Sequence, residues 1–197
     1  MSDSIETTMV DSTRDWQRNR TMWVRILEKR TGVGVDAWKR RIMREGLDDE
    51  ASLRAWLTSQ GVTGYGQSLL VMERFGYPDF LLATADELID AQYEDRPGLR
   101  PIFDAIIAAA MRLGKVTVQA RKTYVSLVSP RRTFARIQAT TKGRVDLGLR
   151  IEGVAPDGRL QPSRIHETMP LQIGLSTLPD IDDEVVRWLR RAYDENS

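Results

Sequence analysis

The fold of the C-terminal half is decided by residues 115–151, KVTVQARKTYVSLVSPRRTFARIQATTKGRVDLGLRI. β-Branched and aromatic residues recur here in short runs that are separated by polar or glycine-containing turns, which is typical of antiparallel strands. The tetrapeptide SPRR at 129–132 has the composition of a hairpin turn. The stretch therefore predicts strands at residues 116–120, 124–128, 133–139 and 144–151.

Helices are predicted on both sides of these strands. An apolar helix is expected over residues 99–113, and a final helix is expected to begin at Asp180 as its N-cap. Another strand is expected at residues 171–175, after a long irregular loop over residues 153–170. The order of helix, antiparallel sheet and helix, preceded by further helices, predicts an α+β fold class.

A small helical bundle is predicted ahead of the sheet, because apolar residues recur at helical spacing between glycines and polar turns. Its expected features are a helix from Ser12–Thr13, a helix over residues 35–45, a helix capped by Asp48 or Asp49, a helix over residues 66–75 and a capping box at Thr84 and Glu87. The turn-forming segment EDRPG at 94–98 predicts the domain boundary. The expected organisation is a mobile tail over residues 1–14, a helical domain over residues 15–93 and an α+β domain over residues 98–197.

Composition excludes several kinds of site. The 197 residues contain no cysteine, which excludes disulfides, cysteine-based zinc sites and a cysteine nucleophile. The polar N-terminus lacks the features of a signal peptide, and no apolar run is long enough to span a bilayer. We therefore expect a cytoplasmic protein with no membrane partner. With one histidine and no nucleotide-binding glycine motif, the sequence predicts neither a metal nor a cofactor.

Charge is distributed unevenly, although the formal net charge is only +1. Residues 115–164 carry 11 Lys and Arg side chains against 3 acids, which gives this segment a local charge of +8. Such a segment favours an anionic partner. The alternative is that it faces acidic helices of the same protein, such as residues 79–95, which contain acids and no bases.

The basic side chains of the predicted strands and hairpins form one candidate site: Arg121, Lys122, Arg131, Arg132, Arg136, Lys142, Arg144 and Arg150. If residues 133–139 form a strand, Arg136 shares a face with Phe134 and Gln138. Cations among aromatic rings, here with Tyr124, are typical of surfaces that bind a nucleic-acid backbone or another polyanion. A solvated sheet face, on which long side chains cover apolar surface, would produce the same pattern.

Glycines between two predicted helices form another candidate site. The segment GVTGYG at 61–66 resembles a helix-hairpin-helix turn, in which Gly64 and Gly66 would let backbone amides approach a phosphate. Such contacts position a nucleic acid and do not read its sequence. The alternative is a tight glycine turn that packs two helices together.

Adjacent strands could also bring together groups with acid–base chemistry, namely Lys122, Tyr124, Arg144 and Asp146. A structural ion pair of Asp146 with Lys122 or Arg144 is the competing interpretation. His166 lies in the irregular loop, where a surface position is expected.

Separated motifs in both halves resemble two bacterial families that often occur in tandem. The N-terminal half resembles domain of unknown function 4287 in TGVGVDAW at 31–38, AWL at 55–57 and GYG at 64–66. The C-terminal half resembles domain of unknown function 5655 in LRPI at 99–102, KTYVS at 122–126, FA at 134–135, RVDLGL at 144–149 and WL at 188–189.

This resemblance implies a two-domain layout and no particular reaction. The helical family usually carries a histidine near the GYG glycines, where this chain has Tyr65 and Gln67. Any role of that imidazole is therefore absent. Fusions of the second family to restriction-like systems imply a nucleic-acid context.

These observations predict a non-enzymatic binding protein that presents a basic sheet surface to nucleic acid or another polyanion. One alternative is an adaptor that binds protein, which would show an exposed apolar patch. Another is a small enzyme, which would need a pocket that converges on Lys122, Tyr124 and Asp146.

Overall fold

The computed structural model describes residues 12–197, with the backbone alone for residues 12–15. Of the predicted tail, residues 1–11 lie outside the described residues, and residues 12–14 belong to the first helix. The described chain divides into two compact units, Ser12–Ala83 and Thr84–Ser197. Within them, none of the helices combines the length and apolarity that crossing a bilayer requires.

The N-terminal unit is helical. Its elements are α1 (Ser12–Thr31), α2 (Val35–Glu45), α3 (Glu50–Ser59), α4 (Gly64–Phe75) and α5 (Asp79–Leu82). Asp49 caps α3, since its carboxylate accepts a hydrogen bond from the Ser52 amide at 2.8 Å. The short α5 was not predicted, and α4 begins at Gly64 instead of Gly66. The core includes Leu27, Trp38, Ile42, Leu53, Leu57, Leu69 and Leu70.

The C-terminal unit contains helices and a sheet. Its elements are α6 (Ala85–Tyr93), α7 (Arg100–Met111), β1 (Thr117–Ala120), β2 (Val125–Val128), β3 (Thr133–Thr141), β4 (Arg144–Leu149), β5 (Gln161–Pro162), β6 (Leu171–Leu175) and α8 (Asp183–Asn196), with single 3₁₀ turns at Pro97–Leu99 and Leu178–Asp180. All strand pairs are antiparallel, in the order β1-β2-β3-β4-β6-β5. The predicted α+β class is confirmed.

The unit boundary lies earlier than the segment 94–98 that the sequence indicated. The capping box at Thr84 and Glu87 opens α6 as expected. This helix joins the C-terminal unit, because the Gln92 side chain donates to the Arg121 carbonyl at 2.7 Å, beside the end of β1. A polar turn therefore follows a helix of the same unit and does not separate two units.

Asp182, not Asp180, caps the last helix. The Asp182 carboxylate accepts from the Val185 amide at 3.1 Å, whereas Asp180 accepts from the amides of Ser176 and Thr177 and closes the preceding 3₁₀ turn. Both residues are aspartates before an apolar run, so their local sequence signals are the same. Asp180 belongs to a 3₁₀ turn that the sequence analysis did not predict, so the helix is capped by the second aspartate.

The two faces of the sheet differ in character. One face is apolar and includes Leu127, Ala135, Leu149, Ile137 and Leu147, all fully buried. The other, which we call the open face, carries the cross-strand neighbours Gln119, Ser126, Arg136, Gly148 and Gln172.

The expected alternation along β3 is wrong at Phe134. The β2–β3 register shifts between Leu127 and Val128, opposite this residue. Phe134 is fully buried, and its ring meets that of Tyr193 in α8 edge to face at 5.3 Å. Phe134 therefore does not share a face of the sheet with the half-buried Arg136. Where the register is irregular, side chains no longer alternate strictly between the two faces.

Candidate functional site

A loop packs on the open face of the sheet. Gly148 lies in the middle of β4, and a Cβ atom there would approach Ile165 Cδ1 to 3.1 Å and Met169 Cβ to 3.2 Å. Glycine at this position lets the loop approach the strand closely. The loop is fixed at its ends, because the Ser163 amide donates to the Pro170 carbonyl at 2.9 Å and the Arg164 amide donates to the buried Gln172 side chain at 2.7 Å.

A cleft of about 160 Å³ lies where this loop meets the sheet. We call it the arginine cleft. Its lining residues are Tyr124, Ser126, Thr133, Arg136, Arg150, His166, Thr168 and Met169. The lining provides two guanidinium groups, an imidazole and hydroxyls, and among the described residues it includes no carboxylate. This is a set of hydrogen-bond donors with a positive charge.

Arg136 is held in place by an aromatic ring and a carbonyl. Its guanidinium carbon lies 3.2 Å from the centroid of the Tyr124 ring, and Nη1 donates to the Ile165 carbonyl at 3.4 Å. Stacking of this kind orients the planar fork of an arginine and limits its rotation. The Nε atom is buried and has no hydrogen-bond partner among the described residues.

Arg150 enters the cleft from the end of β4. Its backbone amide donates to the Phe134 carbonyl at 2.9 Å, which extends the β3–β4 pairing by one residue. Burial and the neighbouring charge of Arg132 lower the pKa of Arg150, and only Glu152 acts in the opposite direction. The buried Nε atoms of Arg132 and Arg150 also lack hydrogen-bond partners within the described part of the chain.

No carboxylate of residues 16–197 lies within ion-pair distance of Arg132, Arg136 or Arg150. Arginines elsewhere in the same unit do have such partners: Arg100 contacts Asp90 at 2.5 Å and Arg159 contacts Asp182 at 2.6 Å. The three arginines near the cleft therefore carry positive charge that no ion pair within the described residues neutralises, although Glu152 offsets part of the charge at Arg150 from a longer distance.

His166 presents one particular nitrogen. Its Nδ1 accepts a hydrogen bond from the Thr168 amide at 3.2 Å and lies 2.9 Å from the Thr168 hydroxyl. Because Nδ1 accepts from a backbone N–H, the neutral ring carries its proton on Nε2. His166 is exposed, as expected, but it also lines the cleft. The sequence analysis missed this role, and the signal that could have indicated it is Gly148, since a glycine inside a strand marks a close approach.

The other predicted basic residues do not line the cleft, and Arg132 is near it only in that its charge acts on Arg150. Lys142 and Arg144 flank the β3–β4 hairpin, whereas Arg131 and Arg132 lie at the opposite end of β3. β3 has nine residues, so these ends are roughly 25 to 30 Å apart. Lys122 lies in the β1–β2 turn, at the same end as Lys142. The expectation that all these cations converge is wrong, because a nine-residue strand separates them.

Asp146, the carboxylate of the predicted Lys122, Tyr124 and Asp146 cleft, is already engaged by other side chains. Asp146 is 1% exposed and accepts from the Thr140 hydroxyl, and its Oδ1 pairs with Arg144 Nε at 3.0 Å. This agrees with the structural ion-pair interpretation. Among the described residues, Tyr124 alone of the three lines the arginine cleft.

Gly64 and Gly66 belong to the N-terminal unit and are explained by its packing. Gly64 has a φ of +60°, which favours glycine. A Cβ on Gly66 would approach Leu27 Cδ1 to 3.2 Å. The exposed Tyr65 between them stacks on Trp23, with ring centroids 5.4 Å apart. A contact with phosphate at this turn stays a prediction.

The described residues also contain no group of three His, Cys, Asp or Glu side chains placed to hold a metal ion.

The sequence motifs of the C-terminal half have a counterpart among known families. Residues 89–196, which contain all the described strands and the whole arginine cleft, match the family described as Domain of unknown function (DUF5655). The chain belongs to this family. The predicted resemblance of the C-terminal half is thereby confirmed, and the cleft is a feature of the DUF5655 domain.

The comparisons add nothing about the N-terminal helices, whose resemblance to domain of unknown function 4287 stays a prediction. Neither the curated proteins nor the solved structures gave a match. The chemistry of the DUF5655 domain must therefore be argued from its own side chains.

Filling the space above Gly148 is expected to displace the loop of the DUF5655 domain. A valine there would overlap Ile165 and Met169, so Gly148→Val should lower the free energy of unfolding by about 1 to 2 kcal/mol. Amide hydrogen exchange should show faster exchange over residues 163–169. Gly143→Val is the matched control, because a Cβ at Gly143 meets nothing within 4 Å. Unchanged exchange in the loop of the Gly148 variant would contradict the described contact.

Proposed function

We propose that the DUF5655 domain is a non-enzymatic binding module that holds an anionic ligand in the arginine cleft, with nucleic acid or another polyanion as the partner. The observation that carries this proposal is that Arg136 and Arg150 line one cleft, with Arg132 close to Arg150, and that no carboxylate of the described residues lines the cleft. An anion would neutralise their repulsion and accept hydrogen bonds from their buried N–H groups.

The use of arginine supports this proposal. A buried lysine can lose its proton and so escape an unfavourable positive environment, but arginine stays charged near neutral pH. Arg150 is destabilised in its charged form by burial and by Arg132. Glu152 offsets part of this cost, and a bound anion would offset more of it.

The arrangement favours phosphate contacts over base recognition. One face of the Tyr124 ring is covered by Arg136, so that face is not available for stacking on a base. The remaining groups of the cleft are donors suited to phosphate oxygens. Binding of a nucleic acid would then depend on its phosphates and little on its sequence.

The alternative of a Lys/Tyr/Asp enzyme has less support, because Asp146 is already paired with Arg144. For the N-terminal helices we propose membership of domain of unknown function 4287, on the three motifs at 31–38, 55–57 and 64–66. A bacterial origin and a cytoplasmic location are part of the same proposal. The protein-binding adaptor is an outcome of the following experiment.

The test is binding of the full chain to short fluorescently labelled DNA and RNA at low salt, measured by anisotropy. We expect Arg136→Gln and Arg150→Gln each to lower affinity about tenfold, and the wild-type affinity to fall steeply with salt. Arg190→Gln is the control, since this exposed arginine of α8 lies outside the cleft and its loss changes the net charge equally.

Three results would overturn the proposal: no binding at low salt, equal losses in the cleft and control variants, or affinity that is insensitive to salt. Binding of a protein partner that is unaffected by the cleft variants would favour the adaptor instead.

A further inference from the structure

We propose that the arginine cleft recognises a terminal phosphate monoester and not an internal phosphodiester or a carboxylate. This inference rests on the proposed function and narrows it. It concerns the chemical group that enters the cleft, whether that group is the end of a nucleic acid or part of a small phosphorylated molecule.

Many hydrogen-bond donors surround the cleft, which favours a ligand group with several acceptor oxygens. Arg136 and Arg150 provide guanidinium N–H groups, and hydroxyls are present on Tyr124, Ser126, Thr133 and Thr168. His166 adds a proton on Nε2, because its Nδ1 accepts from the Thr168 amide. A phosphate monoester offers three terminal oxygens to such donors, whereas a phosphodiester or a carboxylate offers two.

The positive charge of the cleft also favours a phosphate monoester. A phosphate monoester carries about 1.5 to 2 negative charges near neutral pH, and a diester or a carboxylate carries about one. Two arginines line the cleft, and the charge of Arg132 is close enough to lower the pKa of Arg150. The lining holds no acid among the described residues, and Glu152 outside it offsets only part of the charge on Arg150, whose pKa stays lowered. A dianion therefore matches the local charge better than a monoanion.

The size and walls of the cleft also favour a terminal phosphate. Its volume of about 160 Å³ is well below the ~300 Å³ of the smallest drug-sized pockets. Such a space takes a phosphate and the first atoms attached to it. An internal diester needs two chain exits, but the loop packed over Gly148 forms a wall beside Arg136.

The donors are also placed before any ligand arrives. Arg136 is stacked on Tyr124, and the loop that carries His166 and Thr168 is held at both ends by hydrogen bonds. The Met169 amide donates to the His166 carbonyl at 3.0 Å and closes the tip of the loop. Donors that need no rearrangement lose little entropy on binding, which favours a small, compact ligand group.

The experiment compares matched oligonucleotides of one sequence that end in a 5′-phosphate, a 3′-phosphate or hydroxyls only. We expect a terminal phosphate to raise the affinity of the full chain about tenfold. Phenyl phosphate and inorganic phosphate should compete with the phosphorylated oligonucleotide, and benzoate should not. Amide and side-chain NMR signals of Thr168 and His166 should shift when phenyl phosphate is added.

Substitutions test whether the higher affinity for a terminal phosphate arises in the arginine cleft. Arg136→Gln should abolish the advantage of the terminal phosphate, Arg136→Lys should restore it in part, and His166→Ala should reduce it about threefold. Arg190→Gln should keep it in full. Urea unfolding midpoints that match those of the wild type would show that the cleft variants are folded. Arg150→Gln provides an independent test if the Arg136 variants are unstable.

The outcomes separate this inference from the proposed function. Equal affinity for all three oligonucleotides, with Arg136→Gln weakening each of them, would overturn the inference and leave the proposed function intact. Binding of phenyl phosphate that depends on Arg136, without binding of any oligonucleotide, would support the inference with a small phosphorylated ligand as the source and overturn the polyanion partner. Absence of all binding would overturn both.

Discussion

Replacing Phe134 by alanine is expected to lower the free energy of unfolding of the C-terminal unit by about 3 to 5 kcal/mol. Phe134 is fully buried, and its ring contacts the Tyr193 ring of α8 edge to face at 5.3 Å. The substitution removes apolar surface from the junction of β3 and α8 and leaves a cavity there. Both effects lower the free energy of unfolding. The cavity stays unfilled, because the neighbouring Ala135 cannot move into it without breaking its pairing with Leu127.

Amide hydrogen exchange of the full chain measures this effect separately for each unit. Protection of β3 and β4 should fall by the stated free energy, and protection of α1 and α4 should stay unchanged. Leu178→Ala is the matched control, because this side chain of the same unit is 51% exposed and its loss should cost less than about 0.5 kcal/mol. Similar losses for both variants would show that Phe134 does not occupy the core position described.

Replacing Glu73 by glutamine is expected to lower the free energy of unfolding of the N-terminal unit by about 2 to 3 kcal/mol at neutral pH. The Glu73 side chain is 8% exposed and links three helices. Its Oε1 contacts Arg20 Nη2 at 2.6 Å and the Tyr77 hydroxyl, and its Oε2 contacts Lys39 Nζ at 3.0 Å. A neutral amide cannot accept at both ends, so part of this network would be left unpaired.

This stabilisation depends on pH with a definite sign. Burial opposes ionisation of Glu73, but hydrogen bonds from Tyr77, Arg20 and Lys39 outweigh it and lower its pKa from 4.5 to about 2. A carboxyl with a depressed pKa stabilises the folded state above its ordinary pKa and loses that effect as the pH falls toward the folded value. The difference between wild type and Glu73→Gln should therefore be full above about pH 5 and shrink between about pH 4.5 and 2.

Urea unfolding across this pH range, followed by tryptophan fluorescence, measures the difference, since four of the five tryptophans lie in the N-terminal unit. Glu50→Gln is the control: this exposed glutamate pairs with Arg54 within α3, and its loss should cost about 0.5 kcal/mol or less. A Glu73 effect that persists unchanged at low pH would show that the carboxylate charge is not its cause.

Local elements were predictable where the signal acts over a few residues. The limits of α2, the start of α6, the Asp49 cap and the hairpin at 129–132 follow from caps, glycines and the alternation of apolar residues. The errors occur where two equal signals compete, as with Asp180 and Asp182, or where a register shift interrupts the alternation, as at Phe134. The two-residue strand β5 has too short a sequence to carry any periodicity.

The α+β class, the family and the excess of positive charge were predictable from the chain alone, because composition and spacing of side chains need no tertiary contacts. Which of those charges meet depends on how the strands pair and where the loop packs. The strand β3 separates Lys142 and Arg144 from Arg132, whereas antiparallel pairing brings Arg150 beside Phe134 and Arg136 beside Ser126. His166 joins them because a loop packs on Gly148, a contact between residues far apart in the chain whose trace in the sequence is a glycine within a strand.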